Sequence, residues 1–236
     1  MQLRVGTSGY AYKEWKPAFY PEDLGAKRFL SYYAERLTSV EINNTFYRMP
    51  TKKVLDGWAA EVPATFCFAV KASRRITHFK RLNDVGGELD FLFGNLENLG
   101  PLLGPVLYQL PPNLPKDMQR FRDFLMQLPP GKRHAVEFRH ESWFDDEVLT
   151  AMRENGVALC VTEGEEGETF LDFTAPLPET APFGYLRLRR DDYGTTGLTA
   201  WAERVRERAW DVAYVYFKHE TAAPNRALEF AQRFAG

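Results

Sequence analysis

Short runs rich in branched and aromatic residues alternate along the whole chain with stretches in which apolar residues return every three to four positions. The runs read as strands at residues 3–6, 39–43, 66–71, 106–110, 135–139, 157–162, 184–189 and 212–218. Between them lie helical windows such as 26–37, where Phe29, Tyr32, Tyr33 and Leu37 fall on one face. Comparable faces recur at 51–61, 119–128, 145–154, 198–209 and 225–234. Strands alternating with helices of this length imply parallel pairing and right-handed crossovers. Eight strands close a ring, and no Gly-x-Gly-x-x-Gly or P-loop marks a nucleotide switch point in an open sheet. The pattern therefore predicts one domain over residues 1–236, an α/β fold of the TIM (β/α)8 type with parallel strands inside and helices outside. Residues 163–182, which open Glu-Gly-Glu-Glu-Gly-Glu and carry three prolines, predict an irregular sixth βα unit with the acidic run as a solvated loop.

Within each strand, successive side chains face the outer helices and the barrel interior in turn. Val40 and Ile42 claim the helix side, so Glu41 and Asn43 point inward. Val136 and Phe138 do the same for Glu137 and Arg139. The rule also turns Lys71, Gln109, Arg187, Arg189, Tyr216 and Lys218 inward. Ion burial at mid-barrel costs several kcal/mol per charge, so this lining is expected to be wet. Most of these residues end their strands, on the face where barrels place their sites. Lys71, Arg139, Arg187, Arg189 and Lys218 against Glu41 and Glu137 make five positive minus two negative charges, a cationic mouth on a chain whose net charge is only -2. That overall charge gives no global reason to expect a polyanion binder, but it does not exclude a local one.

Further candidates cluster at the same end. Gly6-Thr7-Ser8-Gly9-Tyr10 can turn tightly and present Ser8 and backbone amides to an anion, although a plain glycine-rich turn explains it equally. In the aromatic loop that follows, Tyr10 and Trp15 are the choices for stacking on a ligand. His78, His140 and His219 fall just after the third, fifth and eighth strands. Glu41 and Glu137 with His78 and His140 are the acid–base candidates, and ion pairing with Lys71, Arg139 or the arginines of the seventh strand is the alternative for the two glutamates. No cofactor is predicted. A divalent metal held by the histidines with Glu41 or Glu137 stays chemically open, without metal-ligand spacing to support it and with cationic surroundings against it. Cys67 and Cys160, the only two cysteines, each lie in an apolar run and read as small buried thiols. Apolar runs fall far short of the roughly 18–20 residues a membrane helix needs. Met1 leads straight into a strand rather than a signal peptide, so a cytoplasmic protein is expected.

Several tracts taken in order resemble the YecE-like proteins, the family called domain of unknown function 72. They are Gly6-Thr7-Ser8-Gly9-Tyr10 with Trp15, Glu41-Ile42-Asn43-Asn44-Thr45-Phe46-Tyr47-Arg48-Met49-Pro50, Phe68-Ala69-Val70-Lys71 before Ile76-Thr77-His78, and Leu103-Gly104-Pro105 before Gln109-Leu110-Pro111-Pro112. Val136-Glu137-Phe138-Arg139-His140 with Ser142-Trp143-Phe144, and Asn225 opening the last helix, complete the set. The resemblance covers nearly the whole chain and implies a TIM-type barrel, without assigning a chemistry. Where the family tends to read Arg-x-His-Gly after the seventh strand, this chain has Arg187-Leu188-Arg189-Arg190; where it often reads Phe-Asn-Asn after the eighth, it has Phe217-Lys218-His219. Both departures add positive charge to the mouth.

The functional expectation is an enzyme of hydrolase or isomerase type acting on an anionic, ring-containing substrate such as a sugar phosphate, nucleotide or nucleic acid. The expected ligand contacts are Ser8, Tyr10, Trp15, Asn43, Lys71, Gln109, Arg139, Trp143, Arg187, Arg189, Tyr216, Lys218 and His219. A noncatalytic anion or nucleic-acid binder and a metal-dependent phosphoesterase remain as alternatives, the last by fold analogy alone.

Overall fold

A computed structural model of the protein describes residues 1–163, 171, 173, 175–190, 193–218 and 221–236. Eight parallel strands, β1 (Gln2–Thr7), β2 (Ser39–Ile42), β3 (Cys67–Lys71), β4 (Leu103–Gln109), β5 (His134–Glu137), β6 (Ala158–Glu163), β7 (Phe183–Leu188) and β8 (Val212–Phe217), pair in the order β1-β8-β7-β6-β5-β4-β3-β2. The result is a nearly closed TIM-type barrel. Its helices are α1 (Phe29–Ala34), α2 (Lys52–Ala60), α3 (Gly86–Leu96), α4 (Met118–Gln127), α5 (Asp146–Glu154), α6 (Gly194–Arg206) and α7 (Ala223–Ala235). Every expected strand forms, most within a residue or two of its expected ends. The helical windows hold as well, although 26–37 divides into a 3-10 turn, Ala26–Arg28, followed by α1.

Local chemistry accounts for the element starts. Asp117 and Asp145 cap α4 and α5 by accepting the backbone N–H of Arg120 and Val148, both at 3.1 Å. On α5, Val148, Ala151 and Met152 are buried at helical spacing. α3 is an element that the periodicity reading passes over. Leu89, Leu92, Phe93 and Leu96 do form its buried face, but Gly86, Gly87 and Gly94 depress its helical propensity and obscure the pattern. Between β6 and β7 no described residue is helical, which agrees with an irregular sixth unit; the acidic stretch itself lies outside the described residues, at 164–170.

The barrel closes by an unusual seam. β1 and β2 share only an isolated bridge, Ser8 with Glu41, and the rest of the ladder is replaced by two backbone bonds, Thr38 N–H to the Val5 carbonyl at 3.2 Å and Gly9 N–H to the Glu41 carbonyl at 2.8 Å, together with side chains. Thr38 Oγ1 accepts the Val5 N–H at 3.0 Å. The Tyr33 hydroxyl, reaching in from α1, accepts the Thr7 N–H at 2.8 Å and donates to the Ser39 carbonyl at 3.0 Å. Room for that hydroxyl depends on Gly6, where an added Cβ would sit 1.8 Å from the Ser39 oxygen and 2.7 Å from the Tyr33 hydroxyl.

Two layers of core follow from strand alternation. Outward residues pack against the helices, while the interior is filled by Tyr185, Tyr214 and Tyr216 from β7 and β8 against small residues from other strands, including Ala69, Ala135, Ala158, Cys67 and Cys160. Both cysteines are buried free thiols, as expected. Tyr216 is therefore corrected from a ligand contact to a structural one: it is fully buried, with its hydroxyl 2.7 Å from Ser39 Oγ. No helix among the described residues is long and apolar enough to cross a membrane.

Candidate functional site

Above the tyrosine layer the interior turns polar, because the inward positions at the strand ends carry charged, amide or hydroxyl side chains. Arg187 lies at the centre. Its Nη1 donates to Glu137 Oε2 at 2.6 Å and its Nη2 to Glu41 Oε1 at 3.0 Å, with all three side chains nearly inaccessible. Glu41 also accepts from Ser8 Oγ at 2.8 Å, Asn43 Nδ2 at 3.1 Å and the Tyr185 hydroxyl at 2.7 Å. Glu137 accepts from Gln109 Nε2 at 2.7 Å and Arg139 Nε at 2.9 Å. Gln109 then extends the chain outward, since its Oε1 accepts from Lys71 Nζ at 2.5 Å.

This arrangement corrects the expectation of a wet lining for its three central charges. They are nearly inaccessible, and Arg187 together with Arg139 balances the two carboxylates, whose oxygens accept hydrogen bonds in place of water. Of the two readings of the glutamates, ion pairing is the one observed. Burial alone would raise the Glu41 pKa, but Arg187 and the bonds from Tyr185, Ser8 and Asn43 outweigh it and hold the carboxyl below its usual range. For Glu137 burial is again the largest influence, overridden by Arg187, Arg139 and Gln109, which bring the pKa down to about 2.

A cavity of about 470 Å³ opens above this floor, well suited in size to a small molecule. Ser8, Asn43, Lys71, Gln109, Arg139, Arg187, Arg189 and Lys218 line it as expected, joined by Tyr12, Asn44, Phe46 and Tyr47. None of these described lining residues is a carboxylate. Phe46 and Tyr47 escaped sequence reading because they follow the strand on a 3-10 turn, where alternation no longer applies. Tyr185 could have been found, because it shares the inward parity of Arg187 on β7.

Lys71 is half-buried, with Nζ 4.2 Å from the centroid of the Phe46 ring and no carboxylate within ion-pair distance among the described residues. Burial, then the positive charge of Arg187, lower its pKa to about 8 against weaker support from Glu137 and Glu41. His78 packs edge-on to the same Phe46 ring at 4.9 Å. Partial burial, Lys71, Arg139 and Arg81 all push its pKa down, favouring the neutral imidazole. It sits on a π-helical turn, Arg75–Phe79, after which Arg81, Leu82 and Asp84 all adopt positive φ. Such strained backbone is often concentrated at functional sites.

Other expected site residues lie elsewhere. Trp15 is fully buried, stacked between Tyr20 at 5.9 Å and Tyr33 at 6.4 Å, so this part of the loop folds back onto α1 while Tyr12 before it reaches the cavity. Trp143 is also buried, stacked on Phe138 at 4.8 Å and donating Nε1 to the Leu114 carbonyl at 2.8 Å. Both are packing residues. Tyr10 faces a side crevice with Tyr12, Asn43 and Trp58. His140 caps a short 3-10 turn, its Nδ1 2.9 Å from Ser142 Oγ, and is not on the cavity wall. His219 lies outside the described residues. Among the described residues no three His, Cys, Asp or Glu side chains converge as a metal site.

The chain matches a family model described as a protein of unknown function, DUF72, over residues 4–236. It is 26% identical over 171 residues to UPF0759 protein YunF of Bacillus subtilis, an alignment covering 65% of this chain and 58% of that protein's length. A crystal structure of a DUF72 family protein from Thermotoga maritima superposes with a TM-score of 0.84 at 25% identity, covering 100% of both chains. One from Enterococcus faecalis gives 0.80 at 18% identity, covering 100% of this chain and 96% of that one.

Proposed function

The chain belongs to the DUF72 family, and within that frame we propose that its barrel mouth binds a small anionic, ring-containing molecule, such as a sugar phosphate or nucleotide, and acts on it by proton transfer. The observation that carries this reading is a cavity wall with five cations and no carboxylate among its described residues. Two carboxylates lie behind the wall, but Arg187 engages both of them. Arg139 also pairs with Glu137, so the five cations of the wall exceed these two carboxylates by three positive charges. Phe46, Tyr47 and Tyr12 supply ring faces for stacking. Proton transfer falls to Lys71, whose pKa of about 8 gives it a substantial neutral fraction near physiological pH, and to His78, which stands behind the Phe46 ring off the cavity wall and whose pKa is pushed down toward the neutral imidazole. Glu41 and Glu137 position Arg187 beneath them.

A specific observation also favours the nucleic-acid reading. Tyr47 and Phe79 are 71% and 67% exposed beside the mouth, and the Arg74 guanidinium lies 5.5 and 5.1 Å from their ring centroids. Aromatic rings interleaved with arginines form a stacking platform for single strands.

Melting temperature under titration separates the two. At about a hundred times its Kd, a bound ligand stabilises by about 2.7 kcal/mol, or roughly 5–10 °C for a chain of this size. Inorganic phosphate or a mononucleotide is expected to give that rise, with Lys71→Met and Arg189→Met each reducing it. If both variants respond as fully as the wild type, the mouth is not the anion site. A rise produced only by oligonucleotides, and lost steeply with salt, supports the nucleic-acid reading.

A further inference from the structure

We propose that Lys71 is a nucleophilic amine that forms an imine with an aldehyde or ketone whose anionic group is held by the cations of the same cavity. The inference deepens the anion reading above and rests on it for the class of substrate.

Geometry carries it first. Lys71 ends β3 on the mouth face and presents Nζ to the cavity, where it contacts the Gln109 oxygen at 2.5 Å and the Phe46 ring at 4.2 Å. A lysine that serves only as counter-charge would be expected to meet a carboxylate, yet both nearby carboxylates are engaged by Arg187, and Glu137 by Arg139 as well. Gln109 is itself oriented, because its amide donates to Glu137 Oε1 at 2.7 Å and so must turn its oxygen toward the lysine. The amine is thus held in place by a neutral acceptor.

The charged groups around Nζ point the same way. Arg187 is the neighbouring charge that acts most strongly, and it opposes protonation; Glu137 and Glu41 favour it, Arg139 opposes it more weakly, and the neighbouring His78 is itself disposed to be neutral. With burial added, the pKa falls from 10.5 to about 8. That shift raises the neutral fraction near neutral pH on the order of a hundredfold. Desolvation and neighbouring cations are the usual means of activating a lysine toward carbonyls.

The chemistry needs no further reactant. The neutral amine attacks the carbonyl carbon, forming a C–N bond as the carbonyl π bond opens to a carbinolamine. Both amine protons end on the former carbonyl oxygen, which leaves as water, and the nitrogen lone pair closes the C=N bond. An imine conjugated to an anionic substrate's skeleton acidifies the adjacent carbon, which accords with a site built for proton transfer.

Pyridoxal 5′-phosphate, an aromatic aldehyde carrying a phosphate, is a suitable probe, with sodium borohydride to reduce any imine and peptide mass spectrometry to locate it. Lys71 is expected to be labelled about tenfold over exposed lysines such as Lys13, Lys52 and Lys132, a smaller factor than the gain in neutral fraction because a weaker base is also a weaker nucleophile. Labelling should be half-maximal near pH 8 and fall when pyridoxine 5′-phosphate, which lacks the aldehyde, is in excess. If pyridoxine 5′-phosphate raises the melting temperature but Lys71 remains unmodified while exposed lysines react, the imine is overturned and the anion reading stands. If unphosphorylated pyridoxal labels Lys71 equally well and pyridoxine 5′-phosphate neither competes nor stabilises, the anionic substrate class is overturned while the nucleophile stands.

Discussion

Glu41, Arg187 and Glu137 form a unit in which each charge is tolerable only because of the others. Removing one partner from a buried pair costs about 3–5 kcal/mol, since the remaining charge keeps its desolvation penalty. Glu137→Gln, which also weakens the hold on Arg139, is expected to lower the melting temperature by roughly 6–20 °C. An unchanged value in thermal unfolding would contradict the dry-network account. Acidification has a matching signature. Glu137 falls from an ordinary 4.5 to about 2 in the folded protein, so its contribution is complete above pH 4.5 and is lost as pH drops toward 2. Urea unfolding over that range should show a loss that is smaller in Glu137→Gln. Lys71 works in the opposite sense. Between about 8 and 10.5 the unfolded chain holds more protons than the folded one at this site, so stability rises with pH there. Below pH 8 the penalty for the buried charge is present in full. Lys71→Met is therefore expected to melt no lower than the wild type at pH 7 while responding less to phosphate, and a marked fall in melting temperature would show that Lys71 supports the fold instead.

The weakest join between elements is the β1–β2 seam, where one helix side chain substitutes for ladder hydrogen bonds. Tyr33→Phe leaves the Thr7 N–H and the Ser39 carbonyl without their partner, at a cost of about 1–3 kcal/mol and a fall of roughly 2–12 °C in melting temperature. Hydrogen exchange should accelerate at Thr7 in particular; protection equal to the wild type would mean that the seam does not depend on this hydroxyl. Nothing in the periodicity of 26–37 distinguishes Tyr33, which reads simply as one apolar position among four. Strands were legible because alternation is a strict constraint, and the same constraint placed Glu41, Lys71, Gln109, Glu137 and Arg187 inside. Connections carry no such period. The loop bearing Trp15 folds inward onto α1, and the turn bearing Phe46 and Tyr47 supplies cavity walls. α3 shows a third failure, in which glycines obscured a buried face that packing nonetheless stabilises.

For the whole molecule, a chain of net charge -2 gathers five cations and no carboxylate, among the described residues, on the cavity at one end of its barrel. The sign of that mouth was readable from inward parity alone. Its partition into a dry neutralised floor and a cationic wall was not, because which charges meet depends on how strands from opposite sides of the barrel converge. β2 and β7 are far apart in sequence and in the sheet order, yet Glu41 and Arg187 touch. The central claim is that the wall, rather than the floor, receives an anion, and the most direct measurement is a crystal structure of the protein soaked in phosphate. The account predicts tetrahedral density in the cavity, within hydrogen-bond distance of Lys71 and Arg139, with both Arg187–glutamate contacts intact. A mouth holding only water at saturating phosphate, or an anion bound by Arg187 after displacing Glu41 or Glu137, would contradict it.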